Sequence, residues 1–221
     1  MIGVGCVNNA PDMIEDPKFM PFIQYKNIAD VAKEFQIKCR VANVVEELPF
    51  PVPQSFREDL EFILAHGAVY HSEYAICENL IYPILKEVWK TYYDKLALWS
   101  HPTLSYDNAL CGQPDYVVAK LSPLGHLIFD KPYFLVVEAK QDKFEEGWGQ
   151  CLAELVAVQK INEDWQQAII GIVSNGRVWE FGQLKEDEFT RNLTSYTTSN
   201  LDQLFAVINA LCDRCLPESE I

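Results

Sequence analysis

The sequence predicts a mixed α/β fold, a central mixed sheet flanked by helices. Three observations predict it. Read in order, the periodic segments run helix, strands, helix, strands, the pattern of a layered α/β domain. The run Tyr133–Ala139 is apolar at almost every position, as in a central strand covered on both faces. Ser174-Asn175-Gly176-Arg177 lies between two further apolar runs, and Asn-Gly accepts the positive φ that a tight hairpin needs. At 221 residues the chain can bury one substantial domain. We expect an N-terminal extension over 1–54, carrying a short helix and strand packed on the core, and the main domain over 55–221.

The elements follow from local signals. Residues 1–26 read as irregular, because Pro11, Pro17 and Pro21 interrupt them. Asn27 is placed to cap a helix over 28–35, and a strand-like run follows at 37–45. Pro49, Pro51 and Pro53 make a rigid connector into a helix over 55–65. Ser72 opens the strongest helix, which runs through Pro83 to about Tyr93. Ile76, Cys77, Leu80, Ile81, Ile84 and Val88 form its apolar stripe. Glu73 falls in the middle of that stripe, where a carboxylate has to be paired, protonated or metal-bound, and Glu78 falls just beyond its edge. Pro83 should kink the helix or weaken a turn. Strands are expected at 116–121, 133–139, 169–173 and 178–181, with a further short one at 127–129. Helices are expected over 144–161 and 201–211.

Composition narrows the function classes. Apolar residues are 49% of the chain and charged residues 23%, an ordinary globular balance. No run reaches the roughly 18–20 apolar residues of a membrane span, and the start has no basic segment of the kind that opens a secretion signal. The expected location is the cytoplasm. Seven scattered cysteines read as reduced thiols. Cys212 and Cys215 are closely spaced, but no second pair completes a tetrahedral zinc site. Two incidental helical cysteines is the plainer reading, a metal or redox role the alternative. A net charge of −14 argues against a simple nucleic-acid binder, since DNA affinity rests on Lys and Arg neutralising phosphates. A local basic surface, a metal or a partner protein would have to supply the grip.

One constellation carries chemistry: Pro114-Asp115, then Glu138-Ala139-Lys140. If the two strands are antiparallel, the start of one lies beside the end of the other, so the carboxylates of Asp115 and Glu138 converge. The two-residue repeat puts Glu138 and Lys140 on one face, with Ala139 offering its backbone carbonyl. Oxygen donors of this kind suit a hard cation such as magnesium or manganese, which activates water against a phosphodiester. Lys140 would orient the water and offset developing charge. Gln150 and Glu154 share a face of the following helix. Gly147 and Gly149, around Trp148, leave room for a backbone or substrate. Taken singly each piece has an ordinary explanation: a turn aspartate, a solvated Glu-x-Lys pair, a paired glutamate, a surface glutamine. Together they point to metal-dependent hydrolysis.

These residues resemble the PD-(D/E)XK nuclease superfamily, the restriction-endonuclease-like fold, over roughly residues 72–182. The likeness in style is to the nuclease domain of type I restriction enzymes and small stand-alone relatives. Ser72-Glu73 with Leu80-Ile81-Tyr82-Pro83 resembles the first-helix motif. Gly112-Gln113-Pro114-Asp115-Tyr116 and Val136-Val137-Glu138-Ala139-Lys140 resemble the metal motif, Gln150 the glutamine of the next helix, and Ser174-Asn175-Gly176 with Val178-Trp179-Glu180-Phe181 the following hairpin. The resemblance implies an αβββαβ core and a DNA endonuclease dependent on Mg2+ or Mn2+. It also implies metal held by Asp115, Glu138, Ala139 and Glu73, catalysis by these acids with Lys140 and Gln150, and frequent homodimerisation. Two departures stand out: Ile76-Cys77 where the restriction group often has Thr-Arg, and the acidic charge. A non-catalytic regulatory or interaction module on the same scaffold, and an RNA or nucleotide phosphodiesterase, remain as alternatives.

Overall fold

The computed structural model describes residues 22–216. Most of the irregular start expected over 1–26 therefore lies outside the described residues. A 3₁₀ turn (Phe22–Gln24) leads into α1 (Ile28–Phe35). The Asn27 side chain caps α1 by accepting from the Asp30 N–H at 2.9 Å. β1 (Lys38–Ala42) is shorter than the expected 37–45. The N–H groups of Val44 and Val45 donate to the Asn192 side chain instead of extending a ladder. α2 (Gln54–His66) starts directly after the proline connector.

The long helix opened by Ser72 is built in three pieces: α3 (Glu73–Ile76), a π-helical turn (Cys77–Ile81) and α4 (Tyr82–Trp89). The Ser72 hydroxyl accepts from the Ala75 N–H at 3.1 Å and starts it. Pro83 accounts for the wide turn. It has no N–H to give the preceding turn and its ring crowds the carbonyl there, so Tyr82 N–H reaches back five residues to Cys77. The helix stops at Trp89 rather than near Tyr93. There the Trp89 indole donates to the Leu96 carbonyl at 2.7 Å and turns the chain into the sheet.

The strands are β2 (Leu96–Ser100), β3 (Leu104–Ser105), β4 (Cys111–Gly112), β5 (Tyr116–Lys120) and β6 (Tyr133–Ala139). Then come α5 (Phe144–Asn162), β7 (Ile169–Ser174), β8 (Val178–Lys185), β9 (Glu188–Asn192), β10 (Tyr196–Thr197) and α6 (Leu201–Arg214). The strand expected at 127–129 is absent. Ser122 and Gly125 set up consecutive turns there, and Phe129 leaves the main chain path to stack on Tyr133. β2 and β9, by contrast, carry no sequence expectation; pairing with β5 and with β8 makes them strands.

The main sheet runs β1-β9-β8-β7-β6-β5-β2, with β10 also paired to β8. β1–β9 and β6–β7 are parallel, and the remaining pairs are antiparallel. α5 is the crossover that parallel β6 and β7 require. From α4 onward the order is helix, three sheet strands (β2, β5, β6), helix, strand. Side chains alternate between two cores. Tyr116, Val118, Leu135, Val137 and Ala139 pack under α4 and α6, whereas Val117, Ala119 and Val136 pack under α5 and α1. The fold is thus a large mixed sheet covered by helices on both faces. Cys212 and Cys215 are buried free thiols in the first core, and burial pushes Cys212 up to about 12, so the incidental reading accounts for both. No helix among the described residues is long and apolar enough to cross a membrane.

Candidate active site

The site lies at the ends of two central strands. Tyr116 on β5 pairs with Val137 on β6 in antiparallel register, which sets Asp115, one residue earlier, beside Glu138, one residue later. A bond from main chain to side chain reinforces that register: the Ala139 N–H donates to Asp115 Oδ2 at 2.7 Å. Lys140 Nζ donates to Glu138 Oε1 at 2.8 Å, as the two-residue repeat requires. This is no solvated surface pair, for the Glu138 side chain is 3% exposed and that of Lys140 13%. Ala139 points the other way, into the core under α4 and α6.

Glu73 differs from its expectation. Its apolar neighbours on the helix are buried, but Glu73 sits in the first turn, at the rim, and its side chain is 48% exposed. It meets the site through Lys140, with Oε2 at 3.7 Å from Nζ. The ammonium thus bridges a buried acid and an exposed one. Gln150 lines the same cleft as Glu73 and Lys140, a cavity of about 320 Å³ whose wall also includes Lys26, Lys143 and Glu146. Gln150 does not reach Lys140; its amide donates to Glu154 Oε1 at 3.4 Å. The room at Gly149 serves the chain itself. A Cβ there would stand 2.4 Å from the Asn27 backbone nitrogen, so the glycine lets the segment before α1 lie flat against α5.

Two residues join the site that sequence reasoning did not assign to it. His101, just after β2, takes a left-handed φ of 50°. Its N–H donates to the Asp115 carbonyl at 2.8 Å, and its Nε2 stands 3.3 Å from Asp115 Oδ1. No local motif announces it, because only the β2–β5 pairing brings it to Asp115. Glu154 is the second. It is fully buried on α5, and its Oε2 has no partner among the described residues. Its signal was present as the i+4 neighbour of Gln150; its burial was not.

Electrostatics follow from desolvation. Burial, reinforced by Asp115, pushes Glu138 up to about 8, although Lys140 pulls the other way. Burial raises Asp115 too, against the Ala139 N–H, His101 and Lys140. Glu154 is held well above the carboxylate range by burial and then by Glu138 and Asp115. Burial works against the Lys140 ammonium, but Glu138, Glu73 and Asp115 outweigh it and hold its pKa above the usual value.

The donor set suits a hard cation. Glu138 Oε2 is buried without a hydrogen-bond partner, and Asp115 and the Ala139 carbonyl add oxygen donors beside it. The nearby Cys77 thiol is pushed up to about 12 by burial and by Asp115, so it offers no thiolate. Among the described residues, however, no three His, Cys, Asp or Glu side chains are gathered to hold an ion, and Glu73 stands beyond Lys140. Asp115 and Glu138 are therefore the inner pair, with Glu73 at the rim. No family model matches the chain, and no curated protein matches it in sequence.

Proposed function

We propose that the protein is a metal-dependent nuclease that hydrolyses DNA phosphodiester bonds at this cleft. One observation carries the reading: an acid pair and a lysine, all largely withdrawn from water, converge at the ends of β5 and β6, and the lysine lines an open cleft. Glu138 Oε2 stays unpaired within that buried set, and burying such an atom is expensive unless it is used, which supports a functional role. Magnesium or manganese, held by Asp115, Glu138 and the Ala139 carbonyl, would supply Lewis acidity and an activated water. The order helix, three strands, helix, strand supports the resemblance to restriction-type nucleases.

The chain's own residues have definite tasks. Ala139 N–H fixes the Asp115 carboxylate, and His101 holds it from the other side. Lys140 is tethered by Glu138 and aimed along the cleft floor, where its charge offsets that of a phosphate in attack. Lys26 and Lys143 on the cleft wall are both paired with Glu146, and would contact a strand by exchanging that partner for phosphate.

The test is a cleavage assay on plasmid, linear and single-stranded DNA, with matched RNA strands, in Mg2+ or Mn2+. Glu138→Ala and Lys140→Ala should each lose about 10²–10³-fold or more in rate while keeping native circular dichroism. Absence of cleavage on every DNA substrate with either metal would sink the reading. Selective cleavage of RNA would move it to the phosphodiesterase alternative. The net charge of −14 favours a second reading, a non-catalytic module on the same scaffold. That reading gains if millimolar Mg2+ and Mn2+ give no heat of binding.

A further inference from the structure

Glu154 has no task in the reaction as described, yet it is the most costly side chain on α5. It is 0% exposed. Gln150 satisfies Oε1 at the long distance of 3.4 Å, and Oε2 is buried with no partner among the described residues. Glu138 Oε2, across the interface between α5 and β6, is the other buried carboxylate oxygen in this state. Glu154 lies within the field of Glu138 and of Asp115. Among the described residues Lys140 is paired with Glu138 and Glu73, and His101 Nε2 stands beside Asp115.

We infer that Glu154 is an outer-shell acid of the cation site, its free Oε2 holding the hydration shell of the metal from the α5 side. The inference rests on the nuclease reading only in so far as that reading places a cation at Asp115 and Glu138. Magnesium keeps several of its waters, so an acid on the helix can hold the ion through them without closing on it. The arrangement asks for no direct ligation by Glu154, and among the described residues no three such side chains are gathered at one point. It also gives Gln150 a specific role. Gln150 lines the cleft and donates to Glu154 Oε1, which turns Oε2 away from itself. Gln150 is then a positioning residue acting through Glu154, rather than a partner of Lys140.

Calorimetric titration of Mn2+ into the full chain tests this without any activity measurement. Wild type should bind, and Glu154→Gln should bind about 10–100-fold more weakly, the usual cost of losing an outer-shell partner. Glu145→Gln removes the same charge from an exposed position in the first turn of α5 and should bind as wild type. Thermal melts in EDTA establish that Glu154→Gln is folded. Should it not fold, Glu154→Asp draws the carboxylate back by one methylene and should weaken binding in the same direction. Binding by the Glu154 variant within twofold of wild type overturns the inference and leaves the nuclease reading standing. Equal weakening in Glu145→Gln also overturns it, since general charge would then be the cause. If wild type binds no Mn2+, the nuclease reading and this inference fall together.

Discussion

Glu138 concentrates the electrostatic strain of the molecule in one side chain. In the unfolded chain its carboxyl titrates near its ordinary 4.5; in the native state burial and Asp115 raise it to about 8. Between those values the native state binds more protons than the unfolded state, so the contribution of Glu138 to stability falls as pH rises through that window. Asp115 and Glu154 are shifted in the same direction and add to the slope. Urea unfolding in EDTA between about pH 5 and about pH 8 should therefore show stability declining with pH. Glu138→Gln, which cannot ionise, should make the decline shallower. A wild-type curve that rises over this range would contradict the assignment of burial as the dominant cause. Under the proposed function, a bound cation would offset the cost of this buried acid set.

At the scale of elements, the site depends on how closely α5 approaches its neighbours. Gly149 is the tightest point, where a Cβ would meet the backbone of Tyr25 and Asn27. Backbone cannot swing aside as a side chain can. Gly149→Ala should cost about 1–3 kcal/mol in denaturant unfolding, by forcing α1 and its lead-in away from α5. A loss below about 0.5 kcal/mol would mean that the contact yields more easily than close packing allows. The helix boundaries have similarly local causes. Asn27 and Ser72 cap as their side chains dictate, and Pro83 widens the turn before it. Those features were legible because each involves residues within one or two turns of one another. β2 and β9 were not, because their strand character is completed by partners far along the chain.

For the whole molecule the proposed function raises the question of how a chain of net charge −14 would meet a polyanion. Arg40, Arg57 and Arg191 are paired with Glu188, Asp202 and Glu180, and Arg214 donates to Val44 and Gln183. Arg177 is different. It is exposed at the hairpin tip, lies over the Tyr70 ring at 4.2 Å and has no carboxylate partner among the described residues. Tyr70 is in turn joined to the site, its carbonyl accepting from the Gln141 side chain next to Lys140. Under the proposed function a strand leaving the cleft would meet Arg177. Arg177→Ala should weaken single-stranded DNA binding in EDTA and reduce the salt slope of log K by about 0.7, one phosphate contact. Fluorescence anisotropy over a salt series reads both quantities, and an unchanged slope would remove Arg177 from the path.

What the sequence determined by itself was which residues meet at the ends of β5 and β6. Asp115, Glu138 and Lys140 come together because antiparallel pairing and a two-residue repeat are rules that adjacent residues obey locally. The apolar run Tyr133–Ala139 and the Asn175-Gly176 turn are of the same kind. Only the tertiary structure decided which acids are buried. The helical repeat put Glu73 on an apolar stripe, but its place in the first turn leaves it at the rim. Glu154, with an equally ordinary local pattern, lies fully enclosed between α5 and the sheet. Burial, and the pKa shifts and unpaired oxygens that come with it, is a sum over neighbours brought from the whole chain. A window of sequence contains too few of those neighbours to determine it.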